Sequence, residues 1–185
     1  MRVAVIGAGR MGTRHAAILA SIAGVEVAIV ADPDIDAATG AAEAAGGAAV
    51  TGDPLEALAL GDLDAALIAS PDAAHPEHVL AALGHNLPTL CEKPLATTAE
   101  AARTVVDAEV ARGERLVQVG FMRVYDPAHR ELHDAIERGQ IGRPLRMVGV
   151  HRNVTEDPRS ATDLIVQSAI HEMHSARWLL GGEVT

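Results

Sequence analysis

The sequence predicts an α/β fold built on a doubly wound parallel sheet. Over residues 1–120, short β-branched runs alternate with helical stretches, and Gly, Pro or Asp marks nearly every junction. Strands alternating with helices of this length are βαβ units, and right-handed crossovers wind them into an open sheet covered on both faces. Composition agrees. Hydrophobic residues make up 49% and aromatics 2%, so the apolar share is mainly Ala, Val, Leu and Ile, which let helices pack closely on a sheet.

The elements follow in order. Val3 to Ile6 is a buried strand stopped by Gly7, Arg10 to Ala23 a helix, and Val25 to Val30 the second strand. Asp34 to Ala45 is an alanine-rich helix and Ala48 to Thr51 a brief strand, after which Asp53 caps a helix whose first residue is Pro54. Ala65 to Ala69 is a strand, Ala73 to Gly84 a helix and Thr89 to Cys91 a strand. Thr97 to Gly113 reads as a long helix, with Thr97 as cap and Glu100 three residues on forming a capping box. Leu116 to Val119 is the next strand. The rhythm changes after Gly120: a helix over Pro127 to Arg138, a strand over Pro144 to Val150, a polar loop over Asn153 to Thr162 and a helix over Leu164 to Leu180. A boundary therefore falls near Gly120, dividing a first domain, 1–120, from the start of a second, 121–185.

Charge and cysteine usage exclude several classes. Fifteen basic against 25 acidic residues leave a net charge of −10, the wrong sign for a phosphate backbone, and so few aromatics offer no base-stacking platform. No nucleic-acid partner is expected. A single cysteine, Cys91, builds no disulfide framework and fits a reducing compartment. No apolar run approaches the ~18 residues of a membrane span, and the opening MRVAVIGAG is too brief and glycine-rich for a signal peptide. The expectation is a cytoplasmic protein without a membrane partner.

Gly7-x-Gly9-x-x-Gly12 directly follows a strand and opens a helix, the context that the dinucleotide fingerprint requires. Gly7 permits the tight turn, Gly9 lets a pyrophosphate approach the backbone, and Gly12 lets helix and strand pack closely. Arg10 and Met11 lie between the last two glycines, where helix N–H groups meet the anion. Twenty residues beyond Gly12, Asp32 ends the second strand, placed to accept ribose hydroxyls and to repel a 2′-phosphate. The bland reading of Asp32 is an Asp-Pro turn, with which this role is compatible. Domain 1–120 is thus a dinucleotide-binding Rossmann domain, and NAD is favoured over NADP.

Glu92-Lys93-Pro94 follows a strand end, and strand ends in such a sheet face the ligand crevice. A cation there stabilises the alkoxide that develops as an alcohol loses hydride, while a neutral base takes the proton. An isolated lysine on a loop would more simply be solvated. His171 and His174 raise a metal reading, but their spacing is not that of a zincin, His151 is an unsupported third ligand, and no metal is predicted. His15, His78, His85, His129 and His133 read as solvated or capping residues.

The segments VAVIGAGRMG, IASPDAAHPEHV, CEKPL, VQVGFMRVYDP and SAIHEMHSARWLL, in this order and spacing, resemble the glucose–fructose oxidoreductase/inositol dehydrogenase/MocA family, its inositol-acting branch above all. The resemblance runs over essentially the whole chain. It implies that Lys93 is the catalytic lysine, that His171 accepts the proton, and that Gln167 stands at a position the family usually fills with Asp. It implies that Ser70, Pro71, His75 and Glu92 surround the cofactor, and that Arg123, Asn153 and His174 lie near the polyol pocket. Gln167 hydrogen-bonds but carries no charge to support a cation, and His174 replaces a second common Asp. Family members are about twice this length, as two ordinary domains would be, so the chain is expected to match an amino-terminal half, ending in an incomplete start of an α+β domain that covers substrate and builds a homo-oligomer. The leading expectation is an NAD-dependent oxidoreductase acting on a cyclic polyol or sugar-like alcohol. A truncated nucleotide-binding module with little turnover is the alternative, and a metal-binding hydrolase resting on His171 and His174 a weak third.

Overall fold

The computed structural model describes residues 1–150, 152 and 165–183. Six strands, β1 (Arg2–Ile6), β2 (Glu26–Ala31), β3 (Ala49–Thr51), β4 (Ala65–Ile68), β5 (Thr89–Cys91) and β6 (Val117–Val119), form one sheet in the order β3-β2-β1-β4-β5-β6. Every neighbouring pair is parallel. The helices are α1 (Arg10–Ala20), α2 (Ile35–Ala44), α3 (Pro54–Leu58), α4 (His75–Gly84), α5 (Ala99–Arg112), α6 (Pro127–Glu137) and α7 (Ile170–Leu180). This is the doubly wound Rossmann order, in which the chain switches direction between β1 and β4 and opens a crevice at their carboxyl ends.

Strand alternation sorts the core into two layers. Val3 and Val5 pack with Ala16 of α1 and Ala38 of α2, while Ala4 and Ile6 pack with Leu58 of α3 and Val79 of α4. Pairing steps from Val3↔Val27 to Ala4↔Ile29, so Ala28 is an extra residue in β2. That bulge is why Val27 and Val30 share one layer while Ile29 and Ala31 share the other. Fully buried Val5, Ile6 and Val30 each contribute about 1.5–3 kcal/mol of apolar transfer. On α2 the buried positions are Ala38, Ala41 and Ala42, small enough to bring that helix close to the sheet.

The chain divides into two compact units, Met1–Gly120 and Phe121–Thr185. In the second, the His133 ring of α6 stacks on Trp178 of α7, centroids 4.4 Å apart. Among the described residues no helix is long and apolar enough to cross a membrane.

Four local expectations are corrected. Helix α1 stops at Ala20, because the Ser21 N–H bonds back to the carbonyls of Ile18 and Leu19 and the Ser21 hydroxyl donates to Ile18. Helix α5 is capped by Thr98, whose Oγ1 accepts the Ala101 N–H at 3.2 Å. Thr97 is therefore not the cap, and Glu100 falls in the first turn one position short of a capping box. A 3₁₀ turn, Asp72–Ala74, precedes α4, which starts at His75. Residues 144–150 form no strand: Leu145, Val148 and Val150 are exposed, and among the described residues no backbone pairs with them as a strand needs. The expected loop Asn153 to Thr162 lies outside the described residues. The last helix opens with a π-helical turn, Ile165–Ala169.

Candidate active site

The glycine loop between β1 and α1 is shaped by close approaches. Gly7 takes φ +96°, and a Cβ there would lie 2.5 Å from the Ser70 nitrogen. A Cβ on Gly12 would lie 1.8 Å from the Gly7 carbonyl oxygen. Gly9 has no atom within 4 Å of where its Cβ would be, and no side chain caps α1. The loop is packed where two glycines hold it and open at the third, over a helix N-terminus flanked by exposed Arg10 and Met11. A pyrophosphate fits such a cradle.

Asp32 sits just past β2 beside this loop. One carboxylate oxygen accepts the Ala8 N–H at 2.7 Å and the other the Asp34 N–H at 2.9 Å, while the Asp32 N–H reaches the Thr51 carbonyl at 3.2 Å. The carboxylate is thus fixed in direction at the end of the strand next to the glycine turn.

Beyond β4 and β5 lie the other predicted residues of the first unit. The Ser70 hydroxyl and Nδ1 of His78 are 2.9 Å apart. Burial holds the His78 imidazole below its usual pKa, with Glu77 opposing. Pro71 is exposed. His75, expected beside the cofactor, is 1% exposed; Nδ1 lies 2.6 Å from the Pro94 carbonyl and Nε2 2.9 Å from the Ser70 carbonyl. Both ring nitrogens face backbone carbonyls of the loops that follow β4 and β5.

Glu92 is likewise engaged within the protein. Its Oε1 pairs with His15 Nε2 of α1 at 2.8 Å, and its Oε2 accepts the Lys93 N–H at 3.3 Å. The His15 bond holds the carboxyl below the usual carboxylate range, against the raising effect of burial. Lys93 is partly buried and precedes a cis peptide to Pro94. Cys91, one residue before this motif, is a buried thiol pushed up to about 12, first by desolvation and then by the charges of Glu92 and Asp72; it is no nucleophile. His15, His78 and His133 are not the solvated or capping residues expected. For His78 a signal was present: His75 and His78 are three apart on one helix face.

In the second unit, the Arg123 guanidinium donates to Glu172 Oε1 at 2.5 Å and to the Ser175 hydroxyl at 3.1 Å. His174 stacks on Phe121, centroids 4.0 Å apart, and burial followed by the Arg177 charge keeps its pKa low. His171 is buried on α7, edge-on to Phe121 at 6.2 Å, and Gln167 lies in the π-helical turn before it. Asn153 and His151 lie outside the described residues. Among the described residues no three His, Cys, Asp or Glu side chains come together as a metal-binding group.

Residues 1–121 match the Gfo/Idh/MocA family model, described as "Oxidoreductase family, NAD-binding Rossmann fold". The chain belongs to this family. All of it aligns with inositol 2-dehydrogenase 4 of Saccharopolyspora erythraea at 43% identity, covering 55% of that protein. The inositol 2-dehydrogenase of Mycolicibacterium smegmatis is also 43% identical, with 54% covered. Among solved structures, myo-inositol dehydrogenase from Lactobacillus casei in complex with NAD(H) and myo-inositol superposes with a TM-score of 0.90 and 38% identity, over 98% of this chain and 54% of that one. This Gfo/Idh/MocA chain spans about half the length of the curated relatives it matches.

Proposed function

We propose that this chain carries the dinucleotide domain, 1–120, and the beginning of the substrate and oligomerisation domain, 121–185, of a cytoplasmic NAD-dependent dehydrogenase acting on a cyclic polyol or sugar-like alcohol. The observation that carries the reading is the open Gly9 cradle with the oriented Asp32 carboxylate beside it, in a chain whose relatives are inositol 2-dehydrogenases. A bound nicotinamide dinucleotide supplies the hydride acceptor. Gly7, Gly9 and Gly12, with Arg10 and Met11, hold its pyrophosphate, and Asp32 accepts ribose hydroxyls and disfavours NADP by charge.

The chain's own residues manage oxygen and proton. Lys93 polarises the alcohol oxygen and stabilises developing alkoxide, and His171 takes the hydroxyl proton. Gln167 orients by hydrogen bonding. Arg123, Asn153 and His174 contribute to the polyol side, Arg123 being aligned by Glu172 and Ser175.

A second reading, a nucleotide-binding module with little turnover, is favoured by Gln167, whose amide cannot carry the charge that supports a cationic partner. NADH formation over a panel of polyols and sugars, run beside NAD binding by calorimetry, separates the two. Binding with turnover supports the dehydrogenase, binding without turnover the module, and no binding defeats both.

A further inference from the structure

We propose that His75 is a positioning residue, a buried bridge that fixes the Lys93 loop to the loop after β4. The inference rests on the reading of Lys93 given above. Strands β4 and β5 are neighbours, and each releases a short loop at its carboxyl end. The His75 ring stands between them, Nε2 2.9 Å from the Ser70 carbonyl and Nδ1 2.6 Å from the Pro94 carbonyl; the protonated ring donates to both, the neutral ring to one at a time.

The geometry holds the Lys93 backbone from both sides. Before it, the Glu92 N–H donates to the Ile68 carbonyl at 2.8 Å, and the Lys93 N–H meets Glu92 Oε2. After it, proline has no N–H to donate, so the carbonyl of buried Pro94 is the anchor that residue offers. His75 takes that anchor at 2.6 Å. An apolar side chain at this site would leave the buried Pro94 carbonyl unmatched, and the site instead holds an imidazole with a nitrogen against each loop. A group that must meet a reacting oxygen needs such fixed placement.

Lys93 is the chain's only lysine, so lysine labelled with ¹³C at Cε gives one resonance that reports on this side chain. In His75→Ala that resonance should move towards the position of free lysine. Amide exchange at Glu92, whose N–H bonds the Ile68 carbonyl, should quicken about ten-fold or more while β1 amides stay protected. Added imidazole should return the resonance towards its original position, and His75→Gln, which keeps one side-chain donor, should lie between. A folded His75→Ala with an unmoved Lys93 resonance overturns the proposal. Loss of the fold in both variants also overturns it, because that outcome makes His75 a core residue. A moved resonance together with a Lys93→Ala variant that keeps its turnover leaves the bridge standing and removes the catalytic reading of Lys93.

Discussion

The Asp32 carboxylate accepts the Ala8 N–H at 2.7 Å, so the residue proposed to recognise a ribose also holds the glycine loop. The two roles separate by substitution. In Asp32→Asn the amide oxygen still accepts from Ala8, the bond from the Asp34 N–H is lost because the amide nitrogen only donates, and the charge that repels a 2′-phosphate is gone. The variant should stay folded while its preference for NAD over NADP shrinks by about 1–3 kcal/mol. Asp32→Ala should lose both the preference and some stability. Calorimetric titration of the two dinucleotides checks this, and equal affinities in the unmodified protein refute it.

The three fingerprint glycines should not respond alike. Gly12→Ala forces a methyl onto the Gly7 carbonyl, a backbone atom that cannot swing away, and should cost about 3 kcal/mol or more. Gly9→Ala meets nothing within 4 Å, and its φ of −66° suits alanine. That variant should melt close to the parent yet bind NAD about ten-fold or more weakly, because the methyl occupies the pyrophosphate approach. Thermal melts beside calorimetry distinguish the two outcomes.

Lys93→Ala should abolish dehydrogenase turnover and leave NAD affinity within a few-fold. The residue follows β5 at the crevice end of the sheet, on the opposite side of β4 from the Gly9 cradle. Initial rates of NADH formation, measured with the same preparation used for binding, decide the matter. A variant that keeps most of its rate refutes the assignment.

Glu92 gives the fold a dependence on pH. Its carboxyl is held below the usual range chiefly by His15, so it loses its proton more readily in the fold than in the unfolded chain. That difference stabilises the fold at every pH above the ordinary carboxylate value near ~4.3. It is lost as pH falls through the lower folded value. Glu92→Gln should therefore be less stable by about 1–2 kcal/mol near neutrality, and the gap should close as pH falls through the lowered value of the folded carboxyl. Urea melts over a descending pH series test this; a gap that is constant with pH refutes it.

What could be read in the sequence was local or set by a repeating unit. Strands buried on both faces are continuous apolar runs, so Val3 to Ile6 and Ala65 to Ile68 announced themselves. Asp32 was legible because the length of one βαβ unit fixes its distance from the glycines. Thr97 and Thr98 were not separable, since adjacent threonines offer the same capping chemistry and only the helix start selects Thr98. Residues 144–150 had strand composition, but pairing depends on a partner that composition does not reveal. The bonds from His15 to Glu92 and from His75 to Pro94 span 77 and 19 positions. Such contacts are products of the sheet order, and no local pattern encodes them.

Residues 144–150 carry the last prediction. Leu145 is 93% exposed, Val150 70% and Val148 68%, on a segment without regular secondary structure. Gly149 lies against the Glu172 side chain of α7, so the segment is anchored at one point while its apolar side chains face outward. Burying one such side chain yields about 1.5–3 kcal/mol, and three exposed within six residues favour contact with another copy of the chain. Self-association through the region after Gly120 is therefore expected, rising with protein concentration. Leu145→Glu combined with Val148→Glu should shift the population towards monomer without changing NAD affinity, because both residues lie outside the dinucleotide unit. Sedimentation velocity over a concentration series measures it. A parent chain that is strictly monomeric at every concentration, or a double variant that associates as before, refutes the assignment of this surface.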